Sequence, residues 1–276
     1  MRAREGAREF VRSDALAVEE PLEIRVRGAS GAAQPFVTTM RTPGRDAELA
    51  AGLLLAEGVL RERAELLTLE RPVDPRLERE LRDNAITAVL AEPALARAAE
   101  LARRSTMGSA CGVCGRTIIG RVLPEGLPPL AGALRVASET LFELPGRLRQ
   151  RQSVFAETGG LHAAGLFDER GTLLELCEDV GRHNALDKLV GARLLAHELP
   201  LERHVLLVSG RAGFEIVQKA FVAGIAVVCS VSAPSSLAVE LAEAGGITLV
   251  GFLRERRFNV YAHGERLVGS LAEDRP

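Results

Sequence analysis

The fold is decided by residues 204–252, which read HVLLVSGRAGFEIVQKAFVAGIAVVCSVSAPSSLAVELAEAGGITLVGF. Short apolar runs alternate here with segments of helical periodicity. They predict strands at His204–Val208, Ala226–Cys229 and Thr248–Phe252, separated by helices at Phe214–Ala223 and Ser235–Ala244. Strands and helices alternating at this spacing predict a mainly parallel sheet with helices packed on it. Ligands of such sheets bind beyond the carboxyl ends of the strands, so the loops at those ends are candidate sites.

The preceding sequence predicts further strands and helices. In the second half of the chain these are strands at His162–Phe167 and Leu173–Cys177 around a turn at Asp168–Gly171, and a helix from Asn184 to about Ala196. In the first half they are strands at Leu22–Val26, Pro35–Thr39, Leu66–Leu69 and Ala85–Leu90, and helices at Asp46–Leu60 and Ala94–Arg104. The segment Pro124–Gly132 is rich in proline and glycine, which is typical of a linker. We therefore predict a smaller α+β part at residues 1–138 and a larger α/β domain at residues 139–276.

The composition excludes several classes of protein. With 276 residues, 47% of them hydrophobic and 26% charged, the chain can bury a core without disulfide bonds. A net charge of −2 provides no basic field for nucleic acid. The N-terminal residues 1–12 lack the apolar core of a signal peptide, and no apolar run approaches the ~20 residues of a membrane helix. We expect a cytoplasmic protein that binds neither nucleic acid nor membrane.

Lysine is rare in this sequence. Of 35 lysines and arginines, only Lys188 and Lys219 are lysines. We interpret this bias as a property of the source genome, with some exposed ion pairs, and not as a binding surface.

The sharpest local signal is Cys111-Gly112-Val113-Cys114-Gly115. Two thiols at this spacing can share a metal ion, form a disulfide, or act as a nucleophile and its partner. A structural zinc ion needs two more ligands, and neither Cys177, Cys229 nor the five scattered histidines offer them at paired spacing. A thioredoxin-like redox pair precedes a helix, whereas Thr117–Gly120 is typical of a strand. The spacing predicts a functional pair and leaves its chemistry open.

Two loops at helix starts are candidate anion sites. In Glu178–Lys188, the backbone N–H groups of a helix start accompany Arg182 and His183, which we expect to bind a phosphate or substrate. In Ser209–Glu215, Arg211 stands between two glycines and is a candidate phosphate clamp, although the glycine spacing is not that of a P-loop or a dinucleotide site.

Several neighbouring residues have simpler explanations. Asn184 and Ser209 are expected to cap helices, and Asp187 and Glu215 to be acidic residues of a first turn. Ser232–Ser236 is explained by a serine cap and a proline at a helix start. We expect His162 to be structural, and Cys177 and Cys229 to be buried small hydrophobic residues.

Taken together and in this order, the motifs resemble the FdhD family. The matching stretches are Cys111–Gly115, Thr158–Ala164, Glu178–Lys188, Ser209–Ala220, Ser232–Ala244 and Leu249–His263. The Leu53-Leu54 and Glu57-Gly58 pairs of the N-terminal helix fit as well.

The resemblance implies a sulfurtransferase that acts through a cysteine persulfide. Family members take sulfur from a cysteine desulfurase of the IscS type and pass it to the molybdenum of bis-molybdopterin guanine dinucleotide, before that cofactor enters formate dehydrogenase. The persulfide position matches Cys111, with Cys114 as its partner. A thiolate or persulfide anion needs positive surroundings to stay deprotonated. Arg103, Arg104 and Arg116 flank the cysteine pair in sequence.

The resemblance also implies the cofactor contact, the fold and the oligomeric state. The contact matches Phe252, Leu253, Arg254, Glu255, Arg256 and Arg257. The larger domain would be a three-layer fold like that of cytidine deaminase, and the smaller part would carry the cysteine pair on a mobile loop at about residues 105–116. A homodimer is implied as well. We expect Arg182, Arg211 and Arg254–Arg257 to converge at one edge of the sheet and to bind the cofactor, or guanosine diphosphate as its surrogate.

Two other functions compete with this one. A zinc nucleobase deaminase needs a His-x-Glu motif, but Ala164 stands two residues after His162, and the cysteine pair precedes the histidine. We therefore expect no bound metal. A chaperone that only escorts the cofactor would not need the two cysteines.

Overall fold

The structure is a computed structural model and describes residues 1–6, 8–11, 13–72, 82–105 and 127–269. Cys111, Cys114 and Arg116 lie outside these residues, as does nearly all of the loop predicted at about 105–116. Within the described ranges, no helix has the length and apolar character that crossing a membrane requires.

The first half of the chain forms a hairpin and a four-stranded sheet. The hairpin strands are β1 (Arg2–Glu5) and β2 (Arg8–Val11). The sheet strands are β3 (Glu20–Arg27), β4 (Gln34–Arg41), β5 (Leu66–Glu70) and β6 (Ala85–Leu90), in the spatial order β4-β3-β6-β5. The described residues of this half include the helices α1 (Asp46–Ala56) and α2 (Glu92–Ser105) and a short 3-10 helix at Arg63–Glu65. The strands predicted here are confirmed, with one or two additional residues at some ends.

The helix predicted to continue to Leu60 ends at Ala56. Glu57 caps α1, and Gly58 has φ 76°. A glycine in this left-handed conformation commonly ends a helix. Leu60 is buried all the same, so its apolar spacing reflects core packing from a turn.

Among its described residues, the second half of the chain forms one six-stranded sheet and five α-helices. The strands are β8 (His162–Phe167), β9 (Leu173–Asp179), β10 (Val205–Val208), β11 (Val227–Ser230), β12 (Thr248–Arg254) and β13 (Arg257–Ala262). The helices are α3 (Ser138–Arg151), α4 (Ser153–Thr158), α5 (Arg182–Leu195), α6 (Phe214–Val222) and α7 (Ser236–Gly245). A short parallel pair is formed by β7 (Val136–Ala137) and β14 (Leu267–Val268).

The six strands lie in the spatial order β13-β12-β11-β10-β8-β9. Only β10, β11 and β12 pair in parallel, and the other three pairings are antiparallel. The prediction of a mainly parallel sheet is therefore wrong outside the central strands. The reason is that β8–β9 and β12–β13 are hairpins, whose short turns reverse the chain direction.

The sheet lies between two helical layers. On β10, Val205 and Leu207 belong to an apolar cluster with Leu141 and Leu148 of α3. The alternate residues of β10 belong to a second cluster, which contains residues of α5, α6 and α7. Because successive side chains of a strand point to opposite faces, this division defines three layers.

Helix α3 was missed by the sequence analysis. Leu141, Leu144 and Leu148 have helical spacing and are all buried. Pro145 lies inside the helix and Gly146 follows it, and this pair is more typical of a turn. Packing against the sheet overrides that local preference.

Helices α1 and α5 touch through their backbones. A methyl group on Gly52 of α1 would lie inside van der Waals contact of the carbonyl oxygen of Asp187, and one on Gly191 of α5 would collide with the carbonyl of Glu48. The two helices also share one apolar cluster, so the described core continues from the first half of the chain into the second. The division at residue 138 stays a prediction.

Replacing Gly52 with alanine is expected to destabilise the protein by about 1–3 kcal/mol, because the methyl group must push two helix backbones apart. Urea unfolding would measure this loss. The matched control is Gly146→Ala in α3, where an added methyl group meets nothing within 4 Å. That change should be neutral or stabilising, since alanine favours a helix over glycine. Equal stability of the two variants would contradict the close approach of α1 and α5.

Candidate functional site

The sheet topology gathers several loops at one edge. His162 at the start of β8 pairs with Asp179 at the end of β9, and Ala164 pairs with Val208 at the end of β10. Because β11 and β12 run parallel to β10, their carboxyl ends lie at this edge too. We call it the loop edge. It carries Arg182, Arg211 and the turn Arg254–Arg257, whose binding of a ligand stays a prediction.

Helix α5 begins two residues earlier than predicted, and this changes the roles of two residues. Gly181, not Asn184, occupies the capping position. The amide of Asn184 donates to the carbonyl of Met40 at 2.7 Å and to the carboxylate of Asp179 at 3.2 Å. Asp187 is buried and therefore does not act as a solvated acid of the first turn. Both predictions were wrong because the helix start was misplaced.

Asp179 anchors the start of α5 to the first half of the chain. Its carboxylate is fully buried and lies 2.7 Å from Nζ of Lys188. It also accepts hydrogen bonds from the backbone N–H groups of Thr42, at 3.2 Å, and Gly181, at 2.8 Å. Lys188 donates in turn to the carbonyl of Thr42 at 2.8 Å. A buried carboxylate with this many donors fixes the α5 start relative to the turn before α1.

Lys219 and Asp187 form a second buried ion pair. Nζ of Lys219 lies 2.8 Å from both carboxylate oxygens of Asp187. Burial raises the pKa of Asp187 to about 6, although Lys219 opposes the shift. Together with Lys188, the pair places both lysines of the chain inside the protein. The exposed ion pairs that we expected are formed by arginine, as between Arg203 and Glu169.

A basic cluster surrounds Gly210 at the loop edge. A methyl group on Gly210 would lie 3.3 Å from Nδ1 of His162 and 3.7 Å from Cδ of Arg182. Within the described part of the chain, the buried Nε of Arg182 has no hydrogen-bond partner. Beside it, Nδ1 of His183 lies 3.2 Å from a carboxylate oxygen of Glu215. Burial, and then the nearby Arg182, lower the pKa of His162. Burial also lowers the pKa of His183, against the opposing charge of Glu215.

The loop after β10 leaves Arg211 exposed. Ser209, predicted to cap α6, instead accepts a hydrogen bond from the N–H of Ala163 at 2.8 Å, and Gly213 takes the capping position. Ser209 lies four residues before the capping residue Gly213, so it stays beside β8 and cannot reach the helix start. In the next loop, Ser235 accepts from the N–H of Ala238 at 3.3 Å, which confirms the predicted serine cap of α7.

The turn between β12 and β13 combines buried and exposed residues. Leu253 is fully buried in the cluster beneath α3, whereas the four residues Arg254–Arg257 are exposed. Phe252 is half-buried with φ 53°, and the guanidinium of Arg254 lies 6.0 Å from the centre of its ring. Leu253 therefore contributes to the core, and cofactor contact stays a prediction for all six residues, Phe252–Arg257.

The two described cysteines are unsuited to carrying sulfur. Cys177 and Cys229 are buried, as predicted. Burial raises the pKa of Cys177 to about 12, and it raises the pKa of Cys229 as well. Neither thiol is a thiolate near neutral pH, which is the form that reacts with sulfur. Among the residues outside the gaps, no group of three or more histidine, cysteine or acidic side chains could hold a metal ion.

A protein-family model decides the family. The FdhD/NarQ family model matches residues 17–268, which is almost the whole chain. The chain belongs to the FdhD/NarQ family. Its relatives include proteins named sulfur carrier protein FdhD. The one from Streptomyces coelicolor is 48% identical over 97% of this chain and 93% of its own. The one from Saccharolobus solfataricus is 43% identical over 92% of this chain and 91% of its own.

A solved structure shares the fold of this FdhD/NarQ chain. It is a protein from Desulfotalea psychrophila described as a formate dehydrogenase accessory protein, with a TM-score of 0.72 and 97% coverage of both chains. At 23% sequence identity, this similarity supports the mixed α/β fold alone.

Sequence reasoning missed three parts of this FdhD/NarQ site. Asp179 and the two lysines were not assigned to the interior, because their burial depends on partners distant in sequence. His162 was expected to be structural, and its position against Gly210 at the loop edge was not foreseen. No sequence pattern indicated that Gly210 would lie between His162 and Arg182.

Proposed function

We propose that this chain is a sulfurtransferase that carries sulfur from a cysteine desulfurase of the IscS type to the molybdenum of bis-molybdopterin guanine dinucleotide, for use by formate dehydrogenase. The observation that carries the proposal is the burial of Cys177 and Cys229. Relatives of this chain are named sulfur carriers. Because Cys177 and Cys229 are buried, Cys111 and Cys114 are the cysteines left to hold the sulfur.

Sulfur uptake is a thiol–persulfide exchange. The thiolate of Cys111 attacks the outer sulfur of the desulfurase persulfide. An S–S bond forms on Cys111, and the desulfurase cysteine leaves as a thiolate with the electron pair of the broken bond. Cys111 then holds a persulfide, with no external oxidant or reductant consumed.

Sulfur release uses the second thiol. The thiolate of Cys114 attacks Sγ of Cys111, so a Cys111–Cys114 disulfide forms and hydrosulfide leaves. The hydrosulfide replaces an oxygen ligand of the molybdenum, which departs as water with the hydrosulfide proton and one proton from solvent. A dithiol reductant then reopens the disulfide.

The loop edge is the proposed binding surface for the cofactor. Its arginines suit a ligand with two diphosphate groups, because guanidinium groups form charge-assisted hydrogen bonds to phosphate. Arg256 lies over the ring of Phe142 at 5.7 Å, so aromatic surface is also available near the exposed turn. A likeness to the cytidine deaminase fold, a homodimeric assembly and a cytoplasmic location belong to the same proposal.

Intact mass spectrometry tests the carrier function. After incubation with a cysteine desulfurase and cysteine, the chain should gain the mass of one sulfur atom and lose it on treatment with a thiol reductant. Omitting the desulfurase is the control and should leave the mass unchanged. A chain that never gains sulfur would contradict the proposal and would leave a cofactor chaperone.

Replacing Arg211 with alanine is expected to weaken binding of guanosine diphosphate by roughly ten- to a hundred-fold, because one charge-assisted hydrogen bond to phosphate contributes about that much to the affinity. Calorimetry measures the change. The matched control is Arg203→Ala, because Arg203 is an exposed arginine that precedes β10 at the opposite edge of the sheet. Equal losses in both variants would mean that nucleotide binding responds to overall charge, and the clamp role of Arg211 would be wrong.

A further inference from the structure

Two pairs of charged side chains connect α5 and α6, one helical turn apart. In the upper pair, at the helix starts, Nδ1 of His183 lies 3.2 Å from a carboxylate oxygen of Glu215. In the lower pair, Nζ of Lys219 lies 2.8 Å from both carboxylate oxygens of Asp187. On each helix the two members are four residues apart, so they lie on one face. The lower pair therefore holds the helices at the spacing at which the upper pair meets.

The upper pair lies at the loop edge, where a ligand can reach it. Helix α5 follows the end of β9 and α6 follows the end of β10, and both strands end at this edge. The side chains of His183 and Glu215 are 30% and 45% exposed, whereas those of the lower pair are buried. Nε2 of His183 has no hydrogen-bond partner in the described part of the chain. An imidazole with a carboxylate beside one nitrogen, and the other nitrogen left to a ligand, suits proton transfer.

The other histidines lack this combination of place and partner. His162 is at the loop edge, but it packs against Gly210 and forms no ion pair with a described residue. His263 lies beside the carboxylates of Glu243 and Glu265, but it follows β13, which ends at the opposite edge of the sheet. The histidine of the loop edge with a carboxylate within 4 Å is therefore His183, as far as the structure describes the chain.

Charged groups on several elements act on the imidazole of His183. Burial lowers the pKa of His183, and the negative charge of Glu215 opposes this shift. Three further groups lower the pKa: Arg182 of α5, Lys219 of α6 and His162 of β8. At the end of α1, Glu57 acts on Asp187 of the lower pair. Glu215 is thus the group that keeps the imidazole able to hold a proton.

We propose that His183 is the proton donor of the sulfur-transfer step, and that Glu215 is the residue that positions and stabilises its imidazolium. The inference rests on the proposed function and deepens it. When hydrosulfide replaces an oxygen ligand of the molybdenum, it brings one proton, and the departing water needs two. Protonated His183 gives the second proton to the departing oxygen and then takes up a proton from solvent. The metal–oxygen bond breaks and a metal–sulfur bond forms, with no change in the number of electrons on the metal.

Sulfur transfer from a chain loaded in advance tests this role. The unaltered chain, His183→Gln and Glu215→Gln are loaded by a cysteine desulfurase at one pH, and intact mass establishes that they carry equal sulfur. Each is then incubated at several pH values with saturating cofactor, a dithiol reductant and formate dehydrogenase that lacks the cofactor. Dehydrogenase activity is assayed afterwards at a single pH, so that only the transfer step experiences the change. Thermal unfolding establishes that each variant is folded.

The two variants should differ in how their transfer rates depend on pH. His183→Gln should slow transfer by roughly a hundred-fold at about pH 6, which is typical of the loss of a general acid. The difference should shrink towards about pH 8, where the unaltered histidine has lost its proton. Glu215→Gln should lower the pKa of His183 further. Its transfer rate should therefore match that of the unaltered chain at low pH and decline at a lower pH than in the unaltered chain. NMR titration of the histidine signals measures the pKa directly.

Matched controls exist for both variants. His197→Asn alters an exposed histidine beyond the other end of α5, at φ 60°, a conformation that asparagine tolerates. Glu240→Gln alters an exposed glutamate of α7. Both control variants should transfer sulfur as the unaltered chain does at every pH.

Three results would overturn the inference. Transfer by His183→Gln at the unaltered rate would show that another group supplies the proton. A loss of the same size at every pH would show that His183 acts on binding or structure and not through its proton. An unchanged pKa of His183 in Glu215→Gln would remove Glu215 from this role.

The loading measurement separates failure of this inference from failure of the proposed function. An unaltered chain that gains and transfers sulfur, with variants that behave alike, keeps the carrier function and loses the proton donor. A chain that never gains sulfur loses the carrier function and this step with it, and intact mass reveals that result before any transfer is attempted.

Discussion

Replacement of Cys111 by alanine is expected to abolish sulfur labelling of the chain and maturation of formate dehydrogenase together. The carrier must offer a thiolate that a desulfurase can reach. Cys177 and Cys229 are buried with raised pKa values, so they cannot take over this role. The measurement is radioactive labelling from cysteine and a desulfurase, followed by assay of a dehydrogenase matured in the presence of each variant.

The other cysteines provide graded controls for this result. Cys114→Ala should keep some labelling but impair transfer, because the persulfide forms and the internal disulfide cannot. Cys177→Ala and Cys229→Ala should label fully, at a cost in stability alone. Full maturation with both Cys111 and Cys114 replaced would remove the carrier function and leave a chaperone of the cofactor.

Replacement of Lys219 by methionine is expected to destabilise the protein by about 3–5 kcal/mol, the largest stability loss predicted here. Methionine fills a similar volume, but Asp187 is then left as a buried carboxylate without its counter-charge. The pKa of Asp187 is already raised by burial to about 6 with the lysine present, and it should rise further without it. Protonation would then remove the unpaired charge, so the loss relative to the unaltered protein should shrink as the pH falls. Denaturant unfolding at several pH values measures this.

Two variants make the Lys219 result specific. Asp187→Asn combined with Lys219→Met leaves no charge and should recover part of the lost stability. Arg203→Met breaks an ion pair with Glu169 that is largely exposed and should cost at most about 1 kcal/mol. If Lys219→Met lowered the free energy of unfolding as little as Arg203→Met does, the ion pair of Asp187 and Lys219 would contribute no more to stability than an exposed pair.

The sequence predicted the elements whose patterns were local. The strand Ala85–Leu90 was recognisable as a short apolar run, and the helix Phe214–Ala223 because its apolar spacing agreed with the flanking Gly213 and Gly224. Helix α3 was missed because Pro145 and Gly146 oppose the leucine spacing around them. The antiparallel pair of β8 and β9 was predicted from its turn at Asp168–Gly171 and is confirmed. Strand β13 was not predicted, so its antiparallel pairing with β12 was missed.

The site was predictable only in part. Arg182, His183 and Arg211 were found from their place at helix starts, which is a local property. The roles of Asn184, Asp187 and Ser209 were misjudged because each depends on a partner distant in sequence: Met40, Lys219 and Ala163 respectively. Burial of a lysine depends on a tertiary partner in the same way, and no spacing rule announces it.

The burial of both lysines has a practical consequence for chemical labelling. In the folded chain, the described surface offers amine-reactive reagents no lysine side chain, since Lys188 and Lys219 are 2% and 8% exposed. Acylation of either lysine therefore requires local opening of the ion pair that holds it. The rate of acylation at each lysine, read by peptide mapping, would report how often α5 and α6 separate from their partners. Surface immobilisation or cross-linking through lysine side chains should, for the same reason, be inefficient unless the fold opens.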